Sequence, residues 1–205
     1  IPFISYIILR GKCRNCNSKI SFQYFIVELI VGAGFLLSFH LFKFTVPTLL
    51  FFVLTIFFVI IFFIDLKHFI IPNELTFPLM AIGFFKSFDP NLNQYLFPDY
   101  LNSLIGGVAG YLIIWLIIFA YKKLRNKEGM GLGDAKLLSA LGFWFGWVSI
   151  PFILFFSSFA ALALALPSLL DKSKTMASQI PFGPYLVLGC LLYLILFEKI
   201  ILFLN

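Results

Sequence analysis

At 205 residues, 61% hydrophobic and 12% charged, with a mean hydropathy of +1.03, the chain excludes a soluble globular domain and reads as an all-α polytopic membrane protein. No stretch alternates strongly enough for a membrane β-barrel. The formal net charge of +6 would suit a nucleic-acid surface, but the placement of the basic residues gives it another meaning.

The opening run, Ile1 to Leu9, is too short to span a bilayer, and its basic residues follow it, the reverse of a secretory signal. With no initiator methionine, the sequence predicts that an upstream part is missing. Residues 1–23 then read as the remnant of a cytoplasmic loop carrying Cys13-Arg14-Asn15-Cys16, and residues 24–205 as a membrane-embedded domain. In a reducing compartment a structural disulfide is not expected there. A zinc knuckle needs four ligands, and Cys13 and Cys16 supply two. His40 and Cys190 lie inside apolar runs and read as core or lipid-facing residues.

Seven apolar runs of about 20 residues or fewer follow, near 24–42, 46–64, 70–88, 101–121, 135–149, 151–169 and 182–203. The first contains Glu28, which either pairs with a loop cation or lines a site. The second ends at Asp65. The third is interrupted by Pro72, Asn73, Glu74 and Pro78. Between the fourth and fifth lies the glycine-spaced segment Glu128-Gly129-Met130-Gly131-Leu132-Gly133-Asp134. The fifth run is short, and Pro181-Phe182-Gly183-Pro184 opens the seventh as a proline-started helix.

With Arg10, Lys12, Arg14 and Lys19 in the cytoplasm, alternation of the runs puts all 15 Lys and Arg on that side except Lys43, Lys86 and Lys199. The basic balance is therefore a topology signal: the lipid bilayer is the expected partner, and nucleic acid is not. The same alternation places Asp65 and Asp134 on one side of the membrane.

Each aspartate has a bland reading. Asp65 could be a surface carboxylate paired with Lys67 or His68, although it gains nothing at the negative end of its helix. Asp134 could be a helix N-cap, which would leave Gly129, Gly131 and Gly133 unexplained. A phosphate cradle is disfavoured, because the loop ends in a carboxylate. Read as a pair, two carboxyls sharing a site cannot both ionise easily, so one keeps a proton while the other acts as base. Such a pair activates water against a peptide carbonyl without metal, serine or cysteine. Helix ends alone make Asp134 the readier to ionise and Asp65 the proton holder.

Together the chain from Ser5 through Leu9-Arg10-Gly11-Lys12-Cys13-Arg14-Asn15-Cys16, Ile20-Ser21, Tyr24 and Glu28, then Asp65, Ile71-Pro72-Asn73-Glu74-Leu75-Thr76, Gly129 to Leu137 and Pro181-Phe182-Gly183-Pro184 resembles the bacterial type IV prepilin peptidase (leader peptidase and N-methyltransferase) family. The resemblance covers nearly the whole chain. It implies an intramembrane aspartyl protease of the bacterial inner membrane, with Asp65 and Asp134 as the catalytic pair facing the cytoplasm. Gly129, Gly131, Gly133 and Lys136 would support the second aspartate. The substrates would be type IV prepilins or pseudopilins, whose basic leader would lie near Glu74 and Glu128. The resemblance further implies eight spans in the complete protein and methylation of the new N-terminus with S-adenosylmethionine. The peptidase itself would need no cofactor. Zinc at Cys13 and Cys16 would require a second cysteine pair upstream. Two other classes stay open: a proton-coupled transporter, expected to bury its acids deeper within repeated broken helices, and a membrane methyltransferase without peptidase activity.

Overall fold

The computed structural model describes residues 2–94, 96–125, 131–170 and 181–204. Glu128, Gly129 and Met130 of the glycine-spaced segment lie outside the described residues, as do Lys127, Lys172 and Lys174. Eight α-helices occur among the described residues: α1 (Pro2–Ile8), α2 (Phe22–Phe42), α3 (Val46–His68), α4 (Asn73–Phe85), α5 (Tyr100–Arg125), α6 (Leu132–Phe145), α7 (Ser149–Leu170) and α8 (Gly183–Leu204). The expected all-α membrane architecture is what these residues form. Helices α2, α3 and α5 are each long and apolar enough to cross a bilayer, and α7 and α8 contribute further apolar helix.

The runs at 70–88 and 135–149 become shorter helices than a span needs. The 13 residues of α4 and the 14 of α6 rise about 20 Å, against about 30 Å of hydrocarbon. Local chemistry sets their ends. Pro72 precedes α4 in an extended conformation, φ −64° and ψ 143°, as a residue with fixed φ and no N–H should. Gly146, at φ 78°, stops α6 in the left-handed region, where its N–H bonds the carbonyl of Gly142.

The chain divides into two compact units, residues 1–60 and 61–205. In the first, α1 leads into a tight knuckle. Gly11 takes φ 70°, an isolated antiparallel bridge joins Lys12 and Lys19, and the Cys13 amide donates to the Ser18 carbonyl at 2.9 Å. Ser21 then caps α2 by accepting from the Gln23 amide. Phe35 of α2 stacks on Phe52 of α3 with ring centroids 4.3 Å apart. Phenylalanine here supplies packing.

In the second unit α6 is the centre. It packs against α4, α5, α7 and α8, and ten of its residues are buried. Its seam with α5 is built from small residues. A Cβ on Gly106 would lie 2.5 Å from the Gly142 carbonyl oxygen and 2.7 Å from the Trp147 amide nitrogen, so the two backbones touch. Serines fasten the seam: Ser103 donates to the Phe143 carbonyl at 2.7 Å, and Ser139 donates to the Gly107 carbonyl at 2.8 Å. On the α4 side, Trp144 donates its indole N–H to the Leu79 carbonyl at 2.8 Å, lying over Gly83. One short helix is thus fixed along its length by backbone contacts, and its first turn carries Asp134.

Candidate active site

Asp65 sits in the last turn of α3, three residues before the helix ends at His68. Phe69 then adopts φ 57° and returns its amide to the Asp65 carbonyl at 2.9 Å. A left-handed conformation at a bulky residue is unfavourable. It turns the chain sharply into Ile71 and Pro72, and so towards α4.

Asp134 is in the first turn of α6, whose N-cap is Gly131. The N-cap reading of Asp134 is therefore displaced by three positions. Its carboxyl instead reaches the Gly131 amide, as a residue at the third helical position can. Gly131 itself has φ −82° and ψ 148°, an extended conformation open to any residue.

Both carboxyls are withdrawn from solvent, Asp65 to 4% and Asp134 to 8% exposure. They are close enough to interact electrostatically. The surface reading of Asp65 does not hold: its Oδ2 accepts a buried hydrogen bond of 2.9 Å from the Gly183 amide, the first residue of α8. Ile71 packs between the elements. A Cβ on Gly133 would lie 3.1 Å from Ile71 Cβ, and one on Gly183 would lie 2.9 Å from Ile71 Cδ1 and 2.6 Å from Asp65 Oδ2. Three helices, α3, α6 and α8, thus converge on the carboxyl pair, with Ile71 as spacer. Chemically, two buried and interacting carboxyls can share one proton, one member taking a proton from water while the other gives one up.

The other expected residues are placed as follows. Lys136, two residues after Asp134, donates to Asn73 Oδ1 at 2.6 Å and lies over the Phe77 ring at 5.5 Å, tying α6 to the start of α4. Glu74 is exposed in the first turn of α4. Glu28 is half-buried on α2 in the first unit. Cys13 and Cys16 sit at the knuckle as free thiols. Two thiolates do not by themselves fit a four-coordinate zinc site, and no group of three or more potential metal ligands occurs among the described residues. The Cys16 thiol is lowered to about 7, chiefly by hydrogen bonding with the Ser18 side chain.

Sequence reasoning missed Gly183 and Ile71. The signal was present in Phe182-Gly183-Pro184, because a glycine at the start of a membrane helix marks a place where another group comes close. It reads as a plain helix start until Asp65 is seen against it.

Fold and site together define an α-helical membrane protein with a buried carboxyl pair where three helices meet. Residues 52–166 match the Type IV leader peptidase family, and residues 1–42 match the Bacterial Peptidase A24 N-terminal domain. The chain is 38% identical over 192 residues to a prepilin leader peptidase/N-methyltransferase of Aeromonas hydrophila, an alignment covering 92% of this chain and 63% of that protein. It is 37% identical over 189 residues to the protein of that name in Neisseria gonorrhoeae, again over 92% and 63%. The protein of that name in Xanthomonas campestris pv. campestris is 40% identical over 189 residues, covering 92% and 64%. The chain belongs to the type IV leader peptidase family. It spans 63% of the length of the Aeromonas hydrophila relative. No solved structure matches it.

Proposed function

We propose that this protein is an intramembrane aspartic endopeptidase that removes the short basic leader from type IV prepilins or pseudopilins. Asp65 and Asp134 are its catalytic pair, at the cytoplasmic edge of the bacterial inner membrane. The observation that carries the reading is the burial of two interacting carboxyls on separate helices within a family of leader peptidases. A buried, unpaired carboxylate is costly, and such groups are retained where chemistry needs them. The positive-inside count supports the cytoplasmic orientation. The substrate's apolar helix would enter from lipid while its cationic leader stays in water near Glu74 and Glu128.

A second reading adds methylation of the new N-terminus with S-adenosylmethionine as donor, and rests on the N-methyltransferase in the relatives' names. It is read by transfer of labelled methyl to cleaved substrate.

The test of the first reading is cleavage of a prepilin peptide by wild-type protein and by Asp65→Asn and Asp134→Asn in lipid nanodiscs. Cleavage by the wild type, and at least about a thousandfold loss in each well-folded variant, is the expected outcome; removing one member of a catalytic unit costs about that much or more. Proton-coupled transport without cleavage by the wild type would overturn it.

A further inference from the structure

The carboxyl pair is not held symmetrically. Asp134 meets the amide of Gly131, a residue of its own helix start that is itself exposed. Asp65 meets the amide of Gly183, which is buried and belongs to a different helix. A hydrogen bond to a carboxylate is stronger away from water than at an exposed turn. An amide can only donate, so Asp65 Oδ2 is committed as an acceptor. The partial positive charge of the α8 N-terminus adds to it. Space enforces the arrangement: any side chain at Gly183 would meet Asp65 Oδ2 and Ile71 Cδ1, so the amide lies against the carboxyl with nothing between them.

We propose that Gly183 is a positioning residue whose amide makes Asp65 the proton acceptor of the pair, with Asp134 the proton donor. This rests on the peptidase reading above, and it reverses the order that helix ends alone suggest. Water adds its oxygen to the scissile carbonyl carbon while Asp65 Oδ1 takes one water proton and Asp134 gives its proton to the carbonyl oxygen. The product of that step is a gem-diol. The C–N bond then breaks as Asp65 returns its proton to the nitrogen and Asp134 takes a hydroxyl proton. A carboxylic acid and an amine leave, and the pair regains its starting state.

The amide can be removed without adding an atom to the cleft. Cell-free synthesis that inserts glycolic acid at position 183 replaces the N–H by an ester oxygen, in the full chain and in nanodiscs. One lost hydrogen bond to a charged group should lower kcat by about ten- to a hundredfold, with KM for the prepilin peptide held within about twofold, because the bond is to the chemical group and not to substrate. An unchanged kcat, or a KM that rises as kcat falls, overturns the positioning role. The proton assignment has its own readout. In Asp134→Asn the new carboxamide can still donate a hydrogen bond to the scissile carbonyl, whereas in Asp65→Asn the carboxamide cannot take a proton from water. Single-turnover cleavage should therefore be at least about tenfold faster in Asp134→Asn than in Asp65→Asn. The opposite ranking overturns the assignment. A wild-type chain that cleaves no prepilin at all is a different result, and it strikes the peptidase reading itself.

Discussion

Gly131 and Gly133 look equivalent in the sequence, and the structure separates them. A Cβ at Gly131 would meet nothing closer than the Gly133 nitrogen at 3.8 Å, and its backbone is in a region open to any residue. A Cβ at Gly133 would lie 3.1 Å from Ile71 Cβ and 3.5 Å from the Ile71 nitrogen. Those atoms are at or next to the backbone and cannot rotate away. Gly133→Val adds two further carbons to that contact, so α6 and the Ile71–Pro72 segment must part. Overpacking of this kind costs about 1–3 kcal/mol, and a displacement of about 1 Å at a catalytic group can cost a hundredfold in rate. Gly131→Ala should cost under about 1 kcal/mol, the difference between two residues at an N-cap. The assay is single-turnover cleavage of a prepilin peptide in nanodiscs, at matched amounts of folded protein. We expect Gly133→Val to fall about ten- to a hundredfold and Gly131→Ala to stay within about threefold of wild type. Equal losses at the two positions would mean that both glycines serve loop flexibility and that contact with Ile71 is irrelevant. Normal cleavage by Gly133→Val would refute the close approach outright.

Three further outcomes follow from other parts of the molecule. Gly106→Ala places a methyl against backbone atoms of Gly142, Gly146 and Trp147, and should destabilise the protein by about 1–3 kcal/mol in reversible detergent unfolding; an unchanged midpoint means the α5–α6 seam is looser than drawn. Lys136 and Asn73 should show a coupling of about 0.5–1.5 kcal/mol in a Lys136→Met, Asn73→Ala double-mutant cycle on stability, and additive losses would remove the tie between α6 and α4. Cys16, lowered to about 7 by hydrogen bonding with Ser18, is a thiolate above that pH, so its alkylation by iodoacetamide should rise with a midpoint near neutrality. Ser18→Ala should move that midpoint upward, and an unmoved midpoint would place the cause elsewhere.

What the sequence showed well is what hydropathy and charge control. Helices lie where the apolar runs predict them, and α2, α3 and α5 follow directly from length and composition. Asp65 and Asp134 stood out because carboxylates are expensive beside apolar helices. The ends of α4 and α6 were harder to place. The apolar run extends beyond each helix, so hydropathy does not mark where α4 begins, after Pro72, or where α6 stops, at Gly146 with its positive φ. The Ile71 spacer and the Gly183 amide were less legible for a different reason: Phe182-Gly183-Pro184 marks a close approach without saying which group approaches. Their roles depend on what α8 is folded against, and a backbone N–H leaves no mark in an amino-acid code.

Hydropathy also hides the most consequential element. By its letters, Leu132–Phe145 is a poor membrane helix, shorter than a span and opened by glycines. In the fold those same features are what allow it to carry a carboxyl. Surrounded by α4, α5, α7 and α8, it is buried along most of its length, the Asp134 of its first turn included. The glycines at 106 and 142 then hold the helix by backbone contact, which leaves it little freedom to slide along its axis. That contact would fix the position of Asp134 from the far end of α6. If that is so, Gly106→Ala should lower kcat for cleavage in the fraction that remains folded, even though residue 106 is distant from the carboxyls in the chain and its nearest neighbours are in the last turn of α6 and the residues after it. Full activity in the folded fraction would show instead that Asp134 is held locally, by Ile71 and the first turn of its own helix.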